Sequence, residues 1–381
     1  MQIQLSEEQN ILRDEVRRFA EAEVKPKAKE IDESGEFQRD TFAKCAEMGL
    51  TGVCVPEEYG GAGMDSISYC LVIEELSRVC ATTGVVISVN NSLVCDPLLK
   101  FGNEDQKKRF LTPLAAGEKI GCFALTEPGA GSDAAAVRTT ARRDGDDYIL
   151  DGNKVFITNG THADIALVFA TVDPARKHKG MCCFIVEAGT QGYSHGVHEY
   201  KLGVNASGTT ELAFEGMRVP ASSMLGEEGD GFKIAMSTLD GGRIGISAQA
   251  VGIAQAAFEE AVTYSKEREQ FGTAISSFQA IQHYLADMTT EIDAARLLTW
   301  KAAWAKDKGK RYSLEAAQAK LFSSEMAQKV TNKALQIHGG YGYTREYNVE
   351  RYFRDARITE IYEGTSEVQK MVIADWVINK S

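Results

Sequence analysis

The sequence predicts an α+β multidomain protein: an N-terminal α-helical domain (residues 1–118), a central antiparallel β-barrel or sandwich domain (119–228) and a C-terminal four-helix-bundle domain (229–381). Three observations lead there. The chain has 381 residues, too many for one small core. Apolar residues recur at helical steps up to about Glu118 and again from about Phe232. From about Lys119 to Glu227 they recur in short runs with a period near two.

Each element has its own signal. Ser6-Glu7-Glu8-Gln9 has the form of a capping box and opens a run with Ile11, Leu12, Val16, Phe19 and Ala20 on one face. Leu71 to Val79 and Ala81 to Val94 are apolar throughout and read as buried helix. Asn103-Glu104-Asp105-Gln106 starts a further helix that ends before Gly117, and the glycines of Pro56 to Gly63 make that stretch a loop. In the middle of the chain, strands are expected at Gly121–Thr126, Val137–Arg142, Asp164–Ala170, Met181–Val186 and Thr210–Phe214. Asp144-Gly145-Asp146 and Asp151-Gly152-Asn153 read as turns between strands. Long helices are expected at Ile234–Tyr264, Phe278–Ala305, Leu314–Ile337 and Ser366–Ile378, the pattern of a bundle.

Composition narrows the function. A net charge of −12 argues against a nucleic-acid binder, which needs a basic face. It leaves room for a phosphate-bearing cofactor, since a few local arginines suffice. The eight cysteines form no CxxC pair and read as reduced, buried side chains. The six histidines show no ligand spacing, so no metal is expected. The stretch Met1 to Glu8 is acidic, without an apolar signal core, and no run is long enough to span a membrane. A soluble, cytoplasmic protein is expected.

The chain is organised around Ile361-Tyr362-Glu363-Gly364-Thr365-Ser366-Glu367. Thr365 reads as the N-cap of the last helix, with Glu367 in its first turn. Glu363 then lies just outside a helix start, beside a glycine that allows close approach of a ligand. That placement suits a general base; the plain alternative is one more surface acid among 54. Gly129-Ala130-Gly131-Ser132-Asp133-Ala134 has the form G-x-G-x-x-A but lacks the strand-to-helix context of a dinucleotide fingerprint. It reads as a tight loop, or as backbone N–H groups and the Ser132 hydroxyl meeting a phosphate. Thr238-Leu239-Asp240-Gly241-Gly242-Arg243 interrupts a helical run with two glycines, for close packing or for a ligand. Arg268-Glu269-Gln270-Phe271-Gly272 offers a cation beside a ring, or a plain helix end. Gln336-Ile337-His338-Gly339-Gly340 ends the next helix, with His338 read as a packing or capping residue.

In this order, these segments resemble the acyl-CoA dehydrogenase family over essentially the whole chain. The resemblance is carried by Phe123-Ala124-Leu125-Thr126-Glu127-Pro128, Gly131-Ser132-Asp133, Phe156-Ile157-Thr158-Asn159, Leu239 to Arg243, Arg268 to Gly272, Gln336 to Gly342 and Arg357 to Thr365. Ser88 to Leu93 and Gly231 to Met236 are most similar to the short-chain, butyryl-CoA branch. The resemblance implies bound FAD, an acyl-CoA substrate dehydrogenated to the trans-2-enoyl-CoA, a homotetramer built as a dimer of dimers, and electrons passed to an electron-transferring flavoprotein. Carried over by motif, Glu363 is the catalytic base. Phe123, Leu125, Thr126, Gly131, Ser132, Phe156, Ile157 and Thr158 line the flavin. Arg268, Phe271, Gln279, Gln336, Gly339 and Gly340 reach the FAD of a neighbouring subunit, and Thr365 and Glu367 fall on the cofactor side. Ser132, Asp240, Arg243, Tyr362 and Gly364 touch the acyl-CoA.

Two alternatives remain. A cyclic or branched acyl-CoA, such as cyclohexanecarboxyl-CoA, would use the same chemistry. The isovaleryl-type branch carries its base where this chain has Gly242, and a glutaryl-type enzyme would want an arginine that Ser88 to Leu93 does not offer. A non-catalytic acyl-CoA-binding scaffold is the alternative of another class.

Overall fold

The computed structural model describes residues 4–379; Met1 to Ile3, part of the N-terminal stretch read above, and Lys380 and Ser381 lie outside them. The first part is helical: α1 (Glu7–Phe19), α2 (Ala28–Ser34), α3 (Arg39–Glu47), α4 (Ser66–Val79), α5 (Ala81–Ser88), α6 (Asp96–Phe101), α7 (Glu104–Gln106) and α8 (Thr112–Ala115). The expected capping box at Ser6 forms, and the helix start at Asn103 has one as well. The Gln9 N–H donates to Ser6 Oγ at 3.1 Å and the Ser6 N–H to Gln9 Oε1 at 3.0 Å. Asn103 and Gln106 exchange the same pair at 2.9 and 3.1 Å.

Between α5 and α6, residues Val89–Cys95 continue as wider π-helical turns and are all buried. Among them, Asn90 joins the helical part to the sheet. Asn90 Nδ2 donates to the Thr51 and Leu114 carbonyls at 2.9 and 3.1 Å, and its Oδ1 accepts the Gly121 N–H at 3.1 Å.

Eight strands follow: β1 (Gly121–Ala124), β2 (Thr140–Asp144), β3 (Asp147–Ile157), β4 (Ile165–Thr171), β5 (Met181–Glu187), β6 (Tyr193–His198), β7 (Thr210–Pro220) and β8 (Met224–Leu225). They form one sheet in the order β6-β7-β3-β2-β4-β5-β8, with β1 beside β4. Most neighbours are antiparallel, but β1 runs parallel to β4, and β2 meets β4 in one parallel pair, so the sheet is mixed. Asp144 to Asp147 closes the β2–β3 hairpin as expected. Asp151-Gly152-Asn153 does not separate two strands; it is an irregularity inside β3, where pairing with β7 shifts register between Leu150 and Gly152.

Strands β4 and β5 explain the sheet's position. Their runs are continuously apolar because both faces are covered. Ile165, Leu167 and Phe169 pack with the helices, together with Met181, Cys183 and Ile185. The alternate residues Ala166, Val168, Ala170, Cys182, Phe184 and Val186 pack inside the sheet against Leu150, Leu212 and Phe214.

The last part holds α9 (Gly231–Glu267), a two-residue-strand hairpin of β9 (Glu269–Gln270) and β10 (Thr273–Ala274), α10 (Gln279–Asp307), α11 (Ser313–His338), α12 (Val349–Arg357) and α13 (Ser366–Asn379). Helix α9 runs 37 residues, roughly 55 Å, and Gly241-Gly242 does not interrupt it. Its glycines serve close packing instead. A Cβ on Gly245 would lie 2.2 Å from Tyr69 Oη, and one on Gly252 would lie 2.3 Å from the Glu74 carbonyl, so α4 crosses α9 almost backbone to backbone. No helix among the described residues is long and apolar enough to cross a membrane.

A buried ion pair holds the segment after β1 to the sheet. Lys154, fully buried on β3, donates to Glu127 Oε1 at 2.7 Å and to the Leu125 carbonyl at 3.1 Å. Glu127 also accepts the Arg138 and Thr139 N–H groups at 2.7 and 2.9 Å. Burial pushes the Glu127 carboxyl up, but Lys154, Thr139 and the Arg138 N–H outweigh it and hold the carboxyl below its ordinary value. Lys154→Met, which strands a buried carboxylate, is expected to destabilise the fold by about 3–5 kcal/mol in urea unfolding. Adding Glu127→Gln is expected to recover part of that loss.

Candidate active site

The chain between α12 and α13 makes a left-handed turn. Glu363 has φ +56° and Gly364 φ +90°. For a residue with a Cβ this conformation costs about 1–2 kcal/mol. Three side chains from three helices hold it. The Glu363 carbonyl accepts Gln369 Nε2 at 3.2 Å and Arg243 Nε at 3.4 Å. The Gly364 carbonyl accepts Lys320 Nζ at 2.7 Å and Gln369 Nε2 at 2.8 Å. Thr365 caps α13 as the sequence implied, its hydroxyl accepting the Val368 N–H at 3.4 Å.

The turn drives the Glu363 side chain against α9. A Cβ on Gly242 would sit 2.7 Å from Glu363 Oε2 and 2.8 Å from Leu93 Cδ2, so a side chain there would displace the carboxylate or Leu93. Oε2 is buried and has no hydrogen-bond partner among the described residues. Burial therefore raises the Glu363 carboxyl to about 7, against the opposing charges of Arg243 and Lys320. The Glu363 N–H has no acceptor among the described residues either. One residue thus presents a carboxyl of raised pKa and a backbone donor without an acceptor among the described residues.

Of the expected acyl-side residues, Asp240, Arg243, Tyr362 and Gly364 gather here, and Ser132 lies apart on the open loop after Gly131. Arg243 Nη1 donates to Asp240 Oδ1 at 2.6 Å, one turn back on α9. The Tyr362 hydroxyl donates to Gln249 Oε1.

A second group surrounds the end of β3. Phe156 has φ +58° and is 64 % exposed, while Ile157 is buried and Thr158 half-buried. The Thr126 carbonyl accepts the Val155 N–H at 2.9 Å, which brings Leu125 and Thr126 beside them. Phe123 packs on Phe169 with ring centroids 4.8 Å apart. Gly131 and Ser132 follow on an open loop, and a Cβ on Gly129 or Gly131 would meet nothing within 4 Å.

A third group lies where α9 and α11 end. Arg268 is 5.7 Å from the Tyr341 ring centroid and lines a cavity of about 460 Å³ with Ile275, Gly339 and Gly340. Phe271 has φ +55° and is 95 % exposed, and Gln279 and Gln336 are exposed nearby in sequence. Among the described residues, no hydrogen bond or ring contact joins this group to the Glu363 turn. His338 is a packing residue: it stacks on Tyr264 at 4.2 Å, and its Nδ1 lies 2.8 Å from the Ala334 carbonyl. Glu367 is exposed on the first turn of α13, held below the ordinary carboxyl value by its own backbone N–H and the Thr365 hydroxyl.

Sequence reasoning missed Lys320, Gln369 and Gln249. Lys320 did leave a signal: a lysine on the face of α11 that otherwise carries Ala316, Ala317, Ser323 and Ser324, all buried.

Three family models cover nearly the whole chain. The acyl-CoA dehydrogenase N-terminal domain matches residues 6–118, the middle domain 122–217 and the C-terminal domain 229–378. The chain belongs to the acyl-CoA dehydrogenase family. It is 52% identical to the short-chain specific acyl-CoA dehydrogenase of Clostridium acetobutylicum over 98% of this chain and 99% of that one. The structure of butyryl-CoA dehydrogenase from Megasphaera elsdenii superposes with a TM-score of 0.98 at 46% identity, covering both chains fully. A chain from a structure of the electron transferring flavoprotein of Acidaminococcus fermentans, determined towards a mechanism of flavin-based electron bifurcation, gives 0.99 at 50% identity over 100% of both.

Within this family member, Gly242 is the sharpest test of the site. Gly242→Ala stabilises an isolated helix by up to about 1 kcal/mol, yet pushes the Glu363 carboxylate aside. A displacement near 1 Å is expected to lower kcat about 10²-fold, with the melting temperature and visible spectrum retained.

Proposed function

We propose that this chain is a short-chain acyl-CoA dehydrogenase. It takes a short linear acyl-CoA to the trans-2-enoyl-CoA with bound FAD, as a homotetramer in the cytoplasm, and passes the electrons to an electron-transferring flavoprotein. The observation that carries the reading is the Glu363 carboxylate: its Oε2 is buried and without a partner among the described residues, its turn is gripped at the main-chain carbonyls, and its ordinary value is lifted to about 7.

The residues present fit the cofactor. A flat ring system needs an open apolar surface edged by backbone, and Phe156 offers its ring beside Thr158 and the open Gly129–Ser132 loop. A diphosphate needs a cation and backbone it can approach closely, and Arg268 with the unobstructed Gly339 and Gly340 supplies both beside the third group's cavity. Leu125, Thr126, Phe156, Ile157 and Thr158 would hold the flavin, and Arg268, Phe271, Gln279, Gln336, Gly339 and Gly340 the far end of the same molecule from a second subunit. When bound, the flavin supplies the hydride acceptor that no side chain can replace.

The chain's own residues do the rest. Glu363 takes the proton from the carbon next to the thioester carbonyl. That proton is a far weaker acid than an ordinary carboxyl, so two aids are needed. Burial strengthens Glu363 as a base by raising its pKa. The free Glu363 N–H donates to the thioester oxygen and stabilises the negative charge that develops there. Arg243, turned by Asp240, holds the Glu363 carbonyl and keeps base and donor on one side. Tyr362, fixed by Gln249, and Gly364 wall the reacting carbons from water.

Butyryl-CoA is expected to bleach the flavin, and a panel of linear, branched and cyclic acyl-CoA esters with a dye acceptor is expected to favour the short linear ones. Glu363→Gln is expected to keep the flavin spectrum and lose at least about 10²–10⁴-fold in reduction rate. The base works only when deprotonated, so kcat/KM is expected to fall about tenfold per pH unit below about 7. Full activity in Glu363→Gln removes the residue from the mechanism.

A further inference from the structure

Lys320 is 0 % exposed, on α11 between Ala316, Ala317 and Ala319 on one side and Ser323 and Ser324 on the other. Its one hydrogen bond among the described residues goes to the Gly364 carbonyl at 2.7 Å. It has no ion pair there. An ammonium buried without a carboxylate partner is costly, and a methionine would fill the same space without that cost. Packing does not account for a lysine here.

Its surroundings do. From α9, Arg243 faces the same turn, but its charge is already matched by Asp240 at 2.6 Å. From the segment before α13, Tyr362 has its hydroxyl occupied by Gln249, and from α13 itself Glu367 acts on Lys320 only weakly and from an exposed position. Glu363 is the acid whose charge acts most on Lys320, and each favours the ionised form of the other. Lys320 is thus the unmatched cation behind the base. It also grips the carbonyl of the residue that follows the base, so charge and geometry act through one group.

We propose that Lys320 is a positioning residue for Glu363: its buried ammonium holds the Gly364 carbonyl, locks the left-handed turn and keeps one positive charge behind the carboxylate. It touches neither substrate nor flavin. Burial lowers the Lys320 ammonium to about 7, so its charge is itself lost near the pH at which the base titrates. The role rests on the dehydrogenase reading above and extends it to a residue outside the ligand-facing set.

The test separates the two. Wild-type protein is first mixed with butyryl-CoA; no flavin reduction defeats the dehydrogenase reading whatever Lys320 does. Lys320→Met and Lys320→Gln are then compared with wild type, using flavin content and melting temperature as controls on folding. The Glu363 carboxyl is titrated without substrate by infrared difference against Glu363→Gln, and kcat and KM are measured across pH. In both variants the Glu363 titration and the acid limb of kcat/KM are expected to move up by about one pH unit or more, since an opposite charge is removed. That makes kcat/KM near pH 6 at least about tenfold lower. Lys320→Gln keeps a neutral donor to the carbonyl, so its high-pH kcat is expected to exceed that of Lys320→Met, with KM little changed in either. An unmoved Glu363 titration in a folded variant overturns the proposal. So does failure of both variants to bind flavin when Glu363→Gln binds it, because Lys320 would then be structural alone.

Discussion

The site depends on one turn held open against its own preference. Glu363 would sit more comfortably in a right-handed or extended conformation, where its side chain would leave α9. Its carbonyl and that of Gly364 are instead taken by Arg243, Gln369 and Lys320, from α9, α13 and α11. Hydrogen bonds from buried or charged donors are worth more than the strain they oppose. The Glu363 carboxylate is therefore placed by tertiary structure, and its high pKa follows from the same placement, since the turn carries the carboxylate out of water.

The rest of the fold supplies walls for that turn. Helix α9 is buried all round over Gly241 to Ala254, so it must run through the middle of the molecule. Its small residues let α4 approach from one side and Glu363 from the other. The sheet is fixed against the helices by buried amides: Asn90 accepts the first N–H of β1, and Asn159 Nδ2 donates to the Val86 and Gly121 carbonyls at 3.2 Å each. The loop of Leu125 to Ser132 and the end of β3 are thereby set at a constant position relative to α9.

Much of this was legible in the chain. Long amphipathic helices keep their period over many turns, so Gly231–Glu267, Gln279–Asp307 and Ser313–His338 lie within a few residues of the expected helices. The helix start beside Glu363 was legible too, marked by Gly364 and Thr365, but the local pattern left that acid open between a base and a surface group, and only the resemblance singled it out. What escaped was non-local. Gly152-Asn153 carries a turn signal locally, yet pairing with β7 carries β3 straight through it. The parallel partnership of β1 with β4 bridges forty-odd residues and leaves no local trace. Strand β6 lies mostly exposed, so it shows no alternation. Lys320 and Gln369 are single polar residues on small or apolar faces, and their meaning appears only once Gly364 is known to lie against them; for Lys320 that partner is 44 residues away.

Position 242 shows how the fold limits the placing of the base. The isovaleryl-type branch, by resemblance, carries its base at this position of α9, whereas the base proposed for this chain is at 363. In the structure these are not two sites. A Cβ at 242 would already touch Glu363 Oε2 at 2.7 Å, so side chains from either position project into one small space beside Leu93. Two carboxylates there would repel and share one charge. Glycine at 242 thus leaves the carboxylate from 363 where it lies, and a side chain there would shift it. What the fold specifies is the point in space where a carboxylate must lie, and either backbone can deliver it.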